Sequence, residues 1–292
     1  RGTLLAPSLL MPTHAPAQPS PTPAATAAKP HFTLPGMNVY RRFDPAKTAK
    51  MVDFYESLLG LKPLNPIQLN SNQQMLLFGI GRAQIKLSAE IKPGRKYRLG
   101  SIHEATGIRL FAITYPDERS ITDRFKAAGY PPLTFRDLSD GRQAALVQDP
   151  GGFTIELIVD PDRPARGVDV GINVSDIEKS RAFYRDFVGL QELPPVRDDA
   201  LGVTKYPFRN GETTISLWSI GKKLPADTGS AGVQYVIDNV EAVNARALEQ
   251  RVTIEEPLDT LPGFDVHFVW LNDPDGVTNY FAQTGQSVPA PR

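Results

Sequence analysis

The chain is 292 residues long, with 41% hydrophobic and 22% charged residues, which is room for two ordinary domains with cores of their own. Its 32 basic and 32 acidic residues cancel, removing the long-range attraction that nucleic acid or an anionic membrane surface would require. It has no cysteine, so disulfides, thiolate metal sites and cysteine nucleophiles are excluded, and no apolar run approaches the roughly 20 residues of a membrane-spanning helix.

Residues 1–36 read as a tail. A short apolar run, Gly2 to Met11, precedes a stretch from Pro12 to Pro35 dense in Pro, Ala and Thr. Such a segment carries too little apolar surface to offset the entropy of ordering, so it is expected to be disordered and detached. Ala25-Thr26-Ala27 has the small-x-small form of a signal-peptidase site. The expectation is a secretory-signal remnant on a secreted or periplasmic protein, with a disordered extension on a cytoplasmic protein as the alternative.

The first module opens on an alternating strand, Met37 to Phe43. A helix is expected over 47–59, with Met51, Phe54, Tyr55, Leu58 and Leu59 at helical spacing and Gly60 to end it. Strands follow at 75–78 and 83–87. A second module runs through a strand at 108–114, a helix at 120–128 stopped by Gly129, and strands at 144–147 and 153–159. Asp160 to Arg166, with two prolines, reads as a linker. The third module has a strand at 168–174, a helix begun by a Ser175/Glu178 capping box, and strands at 203–208 and 213–218. The fourth has a strand at 233–237, a helix at 240–250, and strands at 267–271 and 278–282. All four modules read β-α-β-β-β.

Two motifs occur twice. Phe54-Tyr55 leading to Gly60-Leu61 returns as Phe183-Tyr184 leading to Gly189-Leu190. Asp149-Pro150-Gly151-Gly152, a tight turn before a strand, returns as Asp273-Pro274-Asp275-Gly276. A repeat of this length is a whole domain. Residues 37–160 and 167–285 are therefore expected to be two copies of one domain, each closing its own curved, mostly antiparallel eight-stranded sheet.

Together with the stretch from Val170 to Tyr184, these motifs resemble the vicinal oxygen chelate superfamily, the group of glyoxalases, bleomycin-resistance proteins and extradiol dioxygenases. The resemblance implies an α+β fold of tandem domains, each made of two βαβββ modules forming a half-open antiparallel barrel. It also implies where a divalent metal sits when one is present. One ligand, usually His or Gln, lies near the start of each module's first strand, and one, usually Glu, in each last strand. Such donors suit Zn, Ni, Fe or Mn and leave positions open for a substrate's oxygens.

Here the first-strand positions fall among Met37, Asn38 and Tyr40, at Ile108 or Arg109, at Asp169, and at Gly232 beside Gln234. The last-strand positions are Lys86, Glu156, Ser216 and Tyr280. Only Glu156 keeps the usual type, and one carboxylate does not hold a transition metal. No metal and no other cofactor is expected; a divalent ion at Glu156 is the alternative. His103 and His267 read as surface or structural residues, and His14 and His31 belong to the tail.

In place of a metal, Lys86 and Glu156 are expected to face each other as an ion pair or an acid–base couple. Asp169, Ser216, Trp218, Gln234 and Tyr280 are expected to form one ligand pocket in the second domain, polar with aromatic walls. The function read from this is the binding of a small organic molecule in a metal-free cup. An atypical metal-dependent lyase, isomerase or ring-cleaving dioxygenase is one alternative, and an envelope interaction protein with vestigial sites another. Phosphate loops, dinucleotide glycine fingerprints and Gly-x-Ser-x-Gly elbows are absent.

Overall fold

The computed structural model describes residues 28–71, 73–163 and 166–285; the signal-remnant reading falls on residues 1–27 and lies outside them. The first module comprises β1 (Asn38–Arg42), α1 (Thr48–Asp53, continued by a π-helical turn, Phe54–Leu58), β2 (Lys62–Asn70), β3 (Gln73–Ile80) and β4 (Ala83–Ser88). The second comprises β5 (Gly107–Tyr115), α2 (Glu118–Ala127), β6 (Phe135–Asp137), β7 (Gln143–Gln148) and β8 (Thr154–Val159). The third has β9 (Asp169–Asn173), α3 (Ile177–Ala182, continued by a π-helical turn, Phe183–Val188), β10 (Gln191–Glu192), β11 (Val196–Asp198), β12 (Val203–Asn210) and β13 (Thr213–Trp218). The fourth has β14 (Ala231–Val236), α4 (Val240–Gln250), β15 (Ile254–Thr260), β16 (Val266–Asn272) and β17 (Thr278–Thr284).

Local chemistry accounts for the ends. Asp117, Asp176 and Asn239 each accept an N–H three residues on, from Ser120, Lys179 and Ala242, and so cap α2, α3 and α4. The cap of α3 is thus Asp176 rather than Ser175, whose own N–H donates to Asp275. Gly189 stops the third module's helix at φ 89°, a left-handed value that a side chain would resist. Five strands escaped the sequence reading: β2, β6, β10, β11 and β15. All sit on the outer flanks of their sheets, β2 and β15 are largely exposed, and Pro63 and Pro66 in β2 disguise it.

The strands form two curled sheets. Sheet A runs β15-β16-β17-β14-β1-β4-β3-β2, and sheet B runs β10-β12-β13-β9-β5-β8-β7-β6, with β11 also paired to β12. Each sheet is two βαβββ modules joined edge to edge, but the partners are not those expected. Module 1 closes with module 4 and module 2 with module 3, through antiparallel seams β1/β14 and β5/β9. Residues 37–160 and 167–285 therefore do not each close a sheet. The motif repeat shows that the modules are alike, and alike modules offer alike edges. Sequence cannot say which edge meets which.

Modules 1 and 2, and modules 3 and 4, meet through their helices and the sheet faces opposite the cups, in one core that runs through all four. Phe54 of the first helix packs edge-on against Phe125 of α2 at 6.3 Å, and Phe187 meets Phe281 of β17 at 6.4 Å. The two repeated motifs touch each other here. Tyr55 donates its hydroxyl proton to Asp149 at 3.1 Å, and Tyr184 donates to Asp273 at 3.0 Å. In the first repeat Arg41 adds a buried ion pair to Asp149 at 3.0 Å and reaches Ser230 O of module 4 at 3.3 Å. Its counterpart beside β13 is Ile172, so Asp273 has no such cation. Burial pushes the Asp273 carboxyl up to about 7, against hydrogen bonds from Val277, Tyr184 and Asp275 that pull it down.

The tail expectation fails for its last part. Phe32 forms a bridge with Ile237 and packs on Tyr235 at 5.7 Å; Thr33 N–H donates to Val236 O, and Pro35 O accepts from Glu212 N–H. Residues 28–36 thus dock onto β14 and the β12–β13 turn, because an apolar ring and free backbone groups at the end of β14 offset the ordering cost.

Two outcomes are expected. Arg41→Met leaves the Asp149 carboxylate buried without its cation and should cost about 3–5 kcal/mol in urea unfolding. Asp273 binds its proton more tightly folded than unfolded, so its contribution is present below its unfolded value near 3.8 and is lost as pH rises through about 7. Asp273→Asn, which mimics the protonated group, should flatten the fall in stability between pH 5 and pH 8, a change on the order of 2 kcal/mol read from urea midpoints.

Candidate functional site

Alternation along the strands decides which side chains reach each concave face. In sheet B these are Leu110 and Ala112 of β5, Glu156 and Ile158 of β8, Asp169 and Gly171 of β9, Ser216 and Trp218 of β13, and Lys205 and Arg209 of β12. They line a cup of about 230 Å³. The seam pairs Ala112 with Asp169 and Leu110 with Gly171. The approximate two-fold relating modules 2 and 3 therefore exchanges Leu110 with Asp169, and Glu156 beside Ala112 with Ser216 beside Gly171. The first-strand position of module 2 is thus Leu110, not Ile108 or Arg109. An irregularity in β5 moves the register there, and Arg109 turns away to hold Arg98 O, Ser101 O and Asp227.

Two carboxylates on the floor of this cup, Glu156 and Asp169, sit in unlike surroundings. Glu156 is buried and forms an ion pair with Arg136, with Lys205 at 4.0 Å. Lys205 and Arg136 both also reach Asp198, at 2.9 and 3.5 Å. Among the described residues Asp169 has no ion pair within contact distance, and it accepts one N–H, from Thr214, at 2.7 Å. Burial raises its carboxyl to about 6. The charges of Arg163 and Arg142 and the Thr214 N–H pull the other way, and Glu156 adds to the rise. The Trp218 ring lies over Gly171, where an added Cβ would come within 2.7 Å of it, and its Nε1–H has no partner among the described residues.

Sheet A presents Asn38, Tyr40, Gln84, Lys86, Gly232, Gln234, Thr278 and Tyr280 on its concave face. Its module-4 half is packed with aromatic rings. Tyr40 lies over Gly232 and stacks on Trp270 at 6.3 Å, and Trp270 meets Tyr280 at 5.3 Å. The guanidinium of Arg42 sits 4.7 Å above Tyr40, and Lys92 Nζ 4.5 Å above Trp270.

The structure divides the residues expected from sequence. Asp169, Ser216 and Trp218 share the cup of sheet B with Glu156. Gln234 and Tyr280 belong to sheet A with Lys86, so the expected five-residue pocket does not form and Lys86 does not face Glu156. Both corrections follow from the module pairing. Sequence reasoning missed Arg136, Asp198 and Lys205. Arg136 lies on an edge strand read as loop, but Lys205 and Arg209 alternate along β12 on the face of Ser216, a period-two signal that was available.

Neither cup offers a metal site of the family's kind. The four positions are Leu110, Glu156, Asp169 and Ser216 in sheet B, and Asn38, Lys86, Gly232 and Tyr280 in sheet A. Among the described residues no three His, Cys, Asp or Glu side chains converge. A transition metal needs three or four ligands, and Glu156 already faces two cations. The donor set does not fit the ion. His103 is exposed in a turn and His267 lies half-buried on β16, 3.9 Å from Glu241.

The family model for the Glyoxalase/Bleomycin resistance protein/Dioxygenase superfamily matches residues 46–157 and 168–281. Glyoxalase 1 of Caenorhabditis elegans is 24% identical over 253 residues, covering 80% of this chain and 83% of that protein. A lactoylglutathione lyase of Arabidopsis thaliana is 25% identical over 253 residues, covering 82% and 87%. The crystal structure of glyoxalase I from Zea mays superposes with a TM-score of 0.66 at 21% identity, covering 85% of this chain and 92% of that one. No helix among the described residues is long and apolar enough to cross a membrane.

If Arg136 holds down the field of Glu156, Arg136→Met should raise the midpoint of Asp169 above about 6 by roughly half a unit or more, read by carbon-13 NMR of the side-chain carboxyl. An unchanged midpoint would show that the two carboxylates do not sense each other.

Proposed function

This chain belongs to the Glyoxalase/Bleomycin resistance protein/Dioxygenase superfamily, and from that premise we propose that the cup of sheet B binds a small organic anion and exchanges a proton with it through Asp169, without a metal. The carrying observation is the contrast between two carboxylates on the floor of one cup. Glu156 is neutralised by Arg136 and Lys205, while Asp169 stands apart with its carboxyl at about 6. A group that titrates near working pH is the one suited to take and return a proton. Above pH 6 it is the base, and once protonated it is the acid.

An anionic ligand follows from the charges that remain. Glu156 and Asp198 are matched by Arg136 and Lys205. Arg163 spends a donor on a backbone carbonyl, Glu212 O, and Arg209 has no partner among the described residues, yet both line the cup. These two are free to meet a carboxylate or phosphate end. Trp218 supplies the apolar floor and an unused N–H donor. The name of one relative, a lactoylglutathione lyase, favours a second reading, a lyase, for which a metal at Glu156 would be the alternative chemistry. An acid–base role with no metal fits the donor set better. We also propose that the protein works in the cell envelope or outside it, as the small-residue motif at 25–27 implies.

The test is hydrogen exchange. Small carboxylic acids bearing a carbonyl are incubated with the protein in D2O and followed by proton NMR. Replacement of C–H by C–D is expected for at least one of them, at a rate that rises with pH through about 6 and falls at least ~100-fold in Asp169→Asn. No exchange with any acid would remove the proposal. So would about one bound Zn, Ni, Fe or Mn per chain, lost in Glu156→Ala.

A further inference from the structure

We propose that the cup of sheet A is a second reactive site, independent of the first, in which Lys86 captures the carbonyl carbon of a small aldehyde or ketone as an imine. Lys86 lies on the concave floor in register with Tyr40 on one side and Leu77 on the other, at the position that Glu156 holds in sheet B. It is half-buried, so its amine is partly withdrawn from water and still reachable.

What distinguishes it is the lack of any counter-charge among the described residues. The carboxylates at that end of the sheet are already matched: Glu90 to Arg42, Glu255 to Arg95 and Lys92, and Glu256 to Lys92. The groups facing Lys86 from its neighbours are neutral or turned elsewhere. β3 contributes Met75, Leu77 and Gly79, and its own strand Gln84 and Ser88. From β1, the Tyr40 phenol is buried and stays neutral, and the Arg42 guanidinium is spent on the Tyr40 and Trp270 rings and on Glu90. Only desolvation acts on the amine, and it lowers the pKa from 10.5 to about 8. At pH 7 this leaves roughly 300 times more free amine than an ordinary lysine has.

A free, sheltered amine beside aromatic and apolar walls is suited to nucleophilic addition. The Nζ lone pair forms a bond to the carbonyl carbon, and one Nζ proton passes to the carbonyl oxygen. The resulting carbinolamine breaks its C–O bond, and that oxygen leaves as water with the second Nζ proton, leaving C=N on Lys86. No oxidant or reductant takes part, and hydrolysis returns both partners.

The full chain is incubated at pH 7 with propanal and cyanoborohydride, which reduces any imine to a stable secondary amine, and every lysine is quantified by peptide mass spectrometry. Lys86 is expected to be alkylated at least ~10-fold faster than the exposed Lys47, Lys50 and Lys62, with a rate that climbs through about pH 8. Lys86→Arg, which keeps the positive charge, should abolish the fast adduct without lowering the melting temperature. Asp169→Asn should leave the fast labelling of Lys86 intact, so the two cups can fail separately. Labelling of Lys86 no faster than that of the exposed lysines, or fast labelling that persists elsewhere in Lys86→Arg, would overturn the proposal.

Discussion

Each βαβββ module leaves one side of its first strand without a hydrogen-bonding partner. In a strand as deeply buried as β1 or β5 that is untenable, because every unmet N–H and C=O would lose its water without replacement. The remedy is to set first strand against first strand, β1 on β14 and β5 on β9. Those two seams turn four modules into two sheets. They also place the functional positions, since each cup centres on a seam and is lined from both sides of it. The pairing of module 1 with 4 and 2 with 3 puts residues distant in sequence into one cup, and separates residues such as Lys86 and Glu156 that one repeat holds.

The second set of ties runs across this pattern. Tyr55 with Asp149, and Tyr184 with Asp273, join module 1 to 2 and module 3 to 4 through the core, while the seams join 1 to 4 and 2 to 3. Each module is thereby bonded by backbone to one neighbour and by helix packing and a buried hydrogen bond to another. Arg41 binds both directions at once, reaching Asp149 of module 2 and Ser230 of module 4. A hydrogen bond to a buried carboxylate stabilises more than a neutral one, and the repeat of Phe-Tyr with Asp-Pro-x-Gly is the sequence trace of that contact.

The two cups have diverged within one scaffold. An aromatic ring lies over a glycine in each, Tyr40 over Gly232 and Trp218 over Gly171, taking space that a larger residue would fill. In sheet A the rings continue through Trp270 and Tyr280, and a lone amine stands beside them. In sheet B the floor keeps two carboxylates under a ring of arginine and lysine. The electrostatics differ accordingly: Lys86 loses proton affinity because nothing offsets its desolvation, and Asp169 gains it because one N–H and more distant arginines offset burial only in part.

The sequence by itself determined the four modules, the helices at their spacing, the tight Asp-Pro-x-Gly turns and the superfamily, because these depend on local periodicity and on residues read one against their repeat. It also showed that Glu156 alone kept a usual ligand type, since residue identity needs no coordinates. Edge strands such as β6 escaped because a short, partly exposed strand has no burial pattern to show, and Arg136 escaped with it. Only the tertiary structure decided that Asp169, Ser216 and Trp218 join Glu156 while Gln234 and Tyr280 join Lys86, and that residues 28–36 dock. The physical reason is that equivalent edges compete for the same partner. Four similar first strands present the same backbone groups, and the choice among them is made by how helices, linkers and buried pairs pack together.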